Sequence, residues 1–332
     1  MRVAIIGNFD GVHRGHQALV AQAASQVAKR GGSADPTASQ VAKRGGSADP
    51  TATQVAEAGG SVVAVSFFPH PIVVLRPDRA PALLTLPERR AELLRDAGAD
   101  DVVLLAFTPE LAAMSPEEFA RLVKEDPRIR ADVVVVGENF RFGRGAAGGA
   151  DTLRTLGEDL GFEVDVVSLA GSGISDGTAA WSSTLVRERI AAGDVAGAAD
   201  VLGRPHRVEG LVSHGDRRGR DLGYPTANLR IDPAMAVPAD GVYAGYLVVD
   251  PHGAGERFPA AISVGTNPQF GGAERRVEAH ALGRDDLDLY GRPAAVDFVA
   301  RLRGQEVFSS VADLVAQMGR DVDAAERALT AG

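Results

Sequence analysis

His13 and His16 lie three residues apart, directly after the turn-forming run Gly7-Asn8-Phe9-Asp10-Gly11-Val12. Residues at that spacing share one face of a helix's first turn, so both imidazoles can address one ligand. Gly7 and Gly11 let the backbone turn tightly and approach that ligand closely. A helix start adds unpaired N–H groups and the positive end of the helix dipole, which suits phosphate. The same spacing would also serve zinc, but zinc needs a third ligand and the chain has no cysteine. Histidines that merely cap a turn are the plainer alternative.

Five further constellations carry chemistry. Trp181-Ser182-Ser183-Thr184-Leu185-Val186-Arg187 places hydroxyls and then an arginine at a helix start. Ser183, Thr184 and Arg187 can hold phosphates there, and an ordinary Ser/Thr N-cap is the simpler reading. The run from Gly215 to Asn228 is rich in glycine and arginine, and such a loop can wrap phosphates. Within it Thr226 and Asn228 alternate on one strand, so their hard oxygen atoms face the same way and suit Mg2+. Glu278 lies on the β pattern Arg276–His280, either merely solvated or placed to take a proton from an attacking hydroxyl. Phe67-Phe68-Pro69-His70-Pro71 and Gly137–Gly143 offer aromatic faces, and Phe68 and Asn139 are the candidate contacts to a ring system.

Elements must position these groups. Val3–Ile6, Val62–Phe68, Asp101–Phe107, Asp132–Gly137 and Glu163–Leu169 are apolar runs that read as buried parallel strands. Pro87–Ala97 and Ser115–Glu125 read as helices between them, the second with Ser115 as N-cap. This spacing predicts a doubly wound α/β sheet whose ligands bind at the carboxyl ends of the strands, where the histidine turn lies. After Gly203-Arg204-Pro205 the pattern changes to six short β-like runs: Arg207–Val212, Ala227–Ile231, Val242–Val249, Ala260–Val264, Arg276–Leu282 and Ala295–Leu302. They predict a six-stranded antiparallel barrel, closed by a helix over Val311–Leu329. The expected domains are residues 1–187 and 188–332.

At 332 residues the chain is long enough for two cores. A net charge of −9 leaves no general basic surface and argues against nucleic acid. Only Lys29, Lys43 and Lys124 are lysines, so nearly all cationic charge is arginine. No apolar run reaches the roughly 18 residues of a membrane helix, and the start of the chain reads as a core strand rather than a signal peptide. A cytoplasmic enzyme with small-molecule substrates is expected; a weak homo-oligomer is compatible with it. Ser25–Ala38 recurs identically as Ser39–Ala52, and a degenerate third start follows at Thr53–Ala56. This repeated insert, at about residues 25–56, has copies too short and too few for a solenoid. It reads as a tandem duplication in a mobile surface connection.

Gly-x-Phe-Asp-Gly-x-His-x-Gly-His and Ser-Ser-Thr-x-x-Arg resemble the two ATP motifs of the nucleotidyltransferase superfamily. Trp181 stands where that second motif usually has an aliphatic residue. With Gly-Arg-x-Leu-Gly-Tyr-Pro-Thr-Ala-Asn, Gly241-Val242-Tyr243, Gly265-Thr266-Asn267-Pro268 and Glu278, the chain resembles the bacterial bifunctional riboflavin kinases/FMN adenylyltransferases, the FAD synthetases. The resemblance implies ATP-dependent phosphorylation of riboflavin to FMN, then adenylylation of FMN to FAD with release of pyrophosphate. It implies ATP binding by Gly7, Phe9, Asp10, Gly11, His13, His16, Ser183, Thr184 and Arg187. In the barrel it implies ATP or flavin binding by Gly215, Gly219, Arg220, Gly223, Thr226 and Asn228, with Mg2+ on Thr226 and Asn228 and Glu278 as general base. A chain that keeps the kinase and has an impaired adenylyltransferase is the alternative.

Overall fold

The computed structural model describes residues 1–30, 59–168, 181–213, 223–266 and 275–330. Two compact units form, Met1–Ala80 with Arg90–Ala180, and Pro81–Arg89 with Trp181–Gly332.

The first unit is built on five parallel strands: β1 (Arg2–Ile6), β2 (Ser61–Phe68), β3 (Asp101–Ala106), β4 (Val133–Gly137) and β5 (Glu163–Val167), in the order β3-β2-β1-β4-β5. Successive side chains on a strand point to opposite faces, and here both faces are apolar. Val3, Ile5, Val62, Ala64, Val133 and Val135 pack with residues of α1 (Arg14–Arg30) and α3 (Pro87–Asp96). Ala4, Ile6, Val63, Val65, Val134 and Val136 pack with residues of α5 (Pro116–Glu125) and α6 (Ala150–Leu160). Helices on both faces make the doubly wound arrangement that the apolar runs predict. The order reverses between β1 and β4, and in such sheets the crevice at the carboxyl ends there takes the ligand.

Local signals explain most boundaries. Ser115 caps α5 in a full capping box with Glu118, at 3.2 and 2.7 Å. The five-residue helices α2 (Pro71–Leu75) and α4 (Pro109–Ala113) and the longer α6 have no counterpart in the sequence reading. In α6 the interior Gly157 obscured the pattern. A Cβ there would meet the Phe162 carbonyl oxygen at 2.6 Å, so close packing onto the start of β5 requires glycine. The repeat also differs from expectation at its start. Ser25–Arg30 continue α1 instead of forming a connection, and the helix ends just before Gly31-Gly32. The rest of the repeat lies outside the described residues.

The second unit holds α7 (Ser183–Ala192), α8 (Val195–Leu202) and six strands: β6 (His206–Ser213), β7 (Ala227–Ile231), β8 (Gly241–Val249), β9 (Glu256–Thr266), β10 (Arg275–Ala281) and β11 (Pro293–Arg303). They form a closed antiparallel barrel in the order β10-β7-β6-β11-β8-β9, followed by the helix α9 (Val311–Thr330). The barrel core includes Val208, Leu229, Tyr243, Leu247, Ile262 and Phe298. Leu83 joins this unit through backbone hydrogen bonds, its N–H donating to Ala234 O (2.7 Å) and its carbonyl accepting from Ala236 N (2.8 Å). Leu84 then packs with Val186, Ile190, Ala198, Val201 and Leu202, and Trp181 and Leu185 lie against the same cluster.

Candidate functional site

The histidine turn is a constrained loop. Phe9, Gly11 and Val12 have φ of +48°, +85° and +40°. A side-chain-bearing residue in such a conformation costs ~1–3 kcal/mol and persists only where its surroundings over-determine it. Phe9 and Val12 meet that condition, since both are buried in the core under β1. Val12 N donates to Phe9 O at 3.1 Å, and Gln17 N donates to His13 O at 3.0 Å, so His13 is the hinge between loop and helix. The His13 and His16 rings stack 3.6 Å apart at 24°, and Phe9 meets His16 edge-on at 5.2 Å. The two imidazoles thus share one face, as their spacing predicts. Asp10 is buried and pairs with the buried Arg90 at 3.4 Å. Breaking a buried pair by removing one partner costs roughly 3–5 kcal/mol. Sequence reasoning passed over Arg90, although Arg90, Leu93 and Leu94 stand at the i, i+3, i+4 spacing of one buried helix face.

At the carboxyl ends of the strands lies a cavity of about 690 Å3, within the size range of small-molecule sites. Gly7 and Asn8 line it, as do Phe67, Phe107 and Phe119. The segment Asn139–Gly143 lines it too, with Phe140 and Phe142 stacked 5.5 Å apart. Neither imidazole is in this lining. Asn139 is at the wall. Phe68 is 39% exposed at the strand end and is not in this lining, whereas the buried Phe67 is. The two neighbours have opposite orientations because strand side chains alternate.

Ser183, Thr184 and Arg187 belong to the second unit, in the first turns of α7. The cap itself is Ser182, whose Oγ accepts from Leu185 N at 3.2 Å. The run therefore does hold an ordinary serine N-cap, and it falls on Ser182 rather than on Ser183 or Thr184. Arg187 Nε donates to Ala82 O at 2.6 Å. Trp181 packs against the Leu84 cluster with Leu185.

The barrel carries the second site on its outer wall. Along β10, Val277, Ala279 and Ala281 are buried in the core, whereas Glu278 and His280 are half-buried on the other face. Register places Glu278 opposite Asn228 on β7 and Ser263 on β9. Thr226 Oγ1 is 3.5 Å from Glu278 Oε2. His280 Nδ1 lies 2.9 Å from Pro225 O, and Tyr224 meets the His280 ring edge-on at 5.4 Å.

Thr226, Glu278, Ser263 and His280 line a cavity of about 250 Å3, whose opposite wall includes Leu314, Met318 and Val322 of α9. Asp321 anchors that helix by accepting from Arg303 Nε and Nη2 at 2.9 and 2.7 Å. This hydrogen bonding raises the Arg303 pKa above its ordinary value. Gln305 Nε2 donates to Val264 O at 2.8 Å and pins the segment after β11 over β9. Asn228 is not in the cavity lining. Gly223 has φ +86°; Gly215, Gly219, Arg220, Asn267 and Pro268 lie outside the described residues.

Among the described residues no cluster of three or more His, Asp or Glu is arranged to hold a metal. Thr226 Oγ1 lies near Glu278 Oε2, and Asn228 pairs with Glu278 across the strands, so this face carries hard oxygen atoms of the kind that suit a cation keeping water and phosphate as its other ligands.

A family model described as FAD synthetase matches residues 1–34 and 50–183, and one described as riboflavin kinase matches residues 202–329. Proteins named bifunctional riboflavin kinase/FMN adenylyltransferase are similar over nearly the whole chain. The one from Escherichia coli strain K12 is 33% identical over 322 residues, covering 96% of this chain and 90% of the relative. The one from Pseudomonas fluorescens is 34% identical over 333 residues, covering 99% and 93%. A crystal structure described as a macrolide-efflux protein from Streptococcus pneumoniae superposes with a TM-score of 0.78 at 28% identity, covering 98% of this chain and 93% of that one. Among the described residues of this chain, no helix is long and apolar enough to cross a membrane.

Proposed function

This chain belongs to the family of bifunctional riboflavin kinases/FMN adenylyltransferases, and from that premise we propose how its residues divide the two reactions. It phosphorylates riboflavin to FMN with ATP, then joins AMP from a second ATP to FMN, giving FAD and pyrophosphate. The FAD synthetase match over the first half speaks against the kinase-only alternative.

For the kinase step the carrying observation is Glu278, outward on β10, beside the Thr226 hydroxyl and under α9. Glu278 accepts the proton of the terminal ribityl hydroxyl as that oxygen attacks the γ-phosphorus, and the bond to the β-phosphate oxygen breaks. Phosphoryl transfer of this kind needs alignment and charge neutralisation more than covalent help. Thr226 and Asn228 would hold Mg2+, which when bound neutralises phosphate charge. Gly215, Gly219, Arg220 and Gly223 would wrap the ATP phosphates, a role that rests on their motif.

For the adenylyl step His13 and His16 donate hydrogen bonds to the triphosphate. An FMN phosphate oxygen attacks the α-phosphorus and pyrophosphate leaves, with no covalent enzyme intermediate. Gly7, Phe9, Asp10 and Gly11 shape this turn. Ser183, Thr184 and Arg187 complete the ATP-binding set on the strength of their motif. The cavity lined by Phe67, Phe140 and Asn139 suits a planar ring system. ATP as co-substrate of both steps supports a cytoplasmic setting, and the net charge of −9 supports partners that are small molecules rather than nucleic acid.

Incubation with riboflavin, ATP and Mg2+, followed by chromatography, is expected to yield FMN and then FAD. FMN that never proceeds to FAD would overturn the adenylyl half of the reading; unchanged riboflavin would overturn both halves. The FAD synthetase match omits residues 35–49, close to one repeat length. Deleting Ser39–Ala52 is therefore expected to leave both activities intact. Halving the connection between α1 and β2 changes closure entropy by only ~0.6 kcal/mol, so the melting temperature should barely move in a thermal scan.

A further inference from the structure

Arg90 is fully buried, so its guanidinium cannot touch a triphosphate held at the surface of the histidine turn. It is nevertheless bonded to both strand ends that frame the larger cavity. Nη1 donates to Asn8 O at 3.1 Å and to Phe67 O at 3.1 Å, and lies 3.4 Å from Ser66 Oγ. Ser66 Oγ in turn donates to Asn8 O at 2.9 Å. Nη2 reaches Asp10 Oδ1 at 3.4 Å. One planar fork therefore spans a backbone carbonyl and a carboxylate of the loop after β1 and a backbone carbonyl at the end of β2.

That loop is the one whose left-handed residues must be held from outside, and it ends in the stacked His13 and His16. The β2 end carries Phe67, part of the aromatic wall. We propose that Arg90 is a positioning residue for adenylyl transfer, fixing the histidine turn in register with the cavity wall. The proposal rests on the reading of the first unit given above. A lone ammonium could meet the two carbonyls that Nη1 reaches, or stay beside Asp10, but lacks the rigid fork that holds the carbonyls and the carboxylate at once. Misplacing reacting groups by about 1 Å costs ~100-fold in rate without requiring weaker binding.

The test compares Arg90→Gln and Arg90→Lys with the parent chain. FAD formation from supplied FMN is measured as kcat and as KM for ATP and FMN, and riboflavin phosphorylation is followed in the same preparations. For Arg90→Gln the expected result is a kcat lower by ~100-fold, little change in either KM, and an unchanged kinase step. Arg90→Lys should fall between, because charge is kept and the fork is lost. A parental kcat in Arg90→Gln, or a raised KM at unchanged kcat, overturns the proposal. If Arg90→Gln does not fold, Arg90→Lys decides alone: a parental kcat overturns the idea, and a lowered kcat with intact kinase supports it. Joint loss of both activities in both variants also overturns it, because Arg90 would then serve the fold at large. A parent chain unable to make FAD from FMN would instead sink the underlying reading.

Discussion

Glu278→Gln is expected to slow riboflavin phosphorylation by roughly 100- to 10,000-fold, the range for loss of a positioned general base, and to leave FAD formation from supplied FMN intact. The substitution keeps the shape of the side chain and its place opposite Asn228 and Ser263. It removes the carboxylate proposed to accept the hydroxyl proton. The barrel core should be untouched, because Glu278 lies on the face away from Val277 and Ala279. The measurement is FMN appearance from riboflavin and ATP, with pyrophosphate release from FMN and ATP in parallel. A folded Glu278→Gln protein that still phosphorylates riboflavin at the parental rate would remove Glu278 from the mechanism.

His16→Ala should produce the opposite pattern. Losing a donor aimed at developing phosphate charge costs on the order of 100- to 1,000-fold, so pyrophosphate release from FMN and ATP should collapse while FMN formation continues. His16 stands in the first turn of α1 and is stacked on His13 with Phe9 at its edge. Its removal thins that stack without leaving a buried charge. His16→Asn restores a hydrogen-bond donor without the ring and should recover part of the loss. A folded His16→Ala protein in which both activities fall together would contradict the assignment of the two reactions to separate sites.

Much of this organisation was readable from local pattern. β7 occupies Ala227–Ile231, the stretch its alternation predicts, and all six barrel strands are present. The apolar runs of the first half became parallel strands because both of their faces are covered. What escaped depends on contacts distant in sequence. The five residues of α2 and of α4 are too few to show helical periodicity. Leu83 and Leu84 join a unit whose other members lie about a hundred positions on, which no window along the chain can reveal. Sequence supplies the alternation of Phe67 and Phe68 without saying which parity faces the cavity, and the structure turns Phe67 to it. Arg90 was missed because an arginine in a charged helix reads as solvated, and only the tertiary structure shows it enclosed.

The alternation along β10 has a practical consequence. Odd-numbered positions from Val277 to Ala281 pack in the barrel core, while the even-numbered Glu278 and His280 line the smaller cavity. Anyone seeking a flavin analogue enzyme can randomise the even set and leave the odd set alone, and the resulting library should lose turnover far more often than it loses soluble yield.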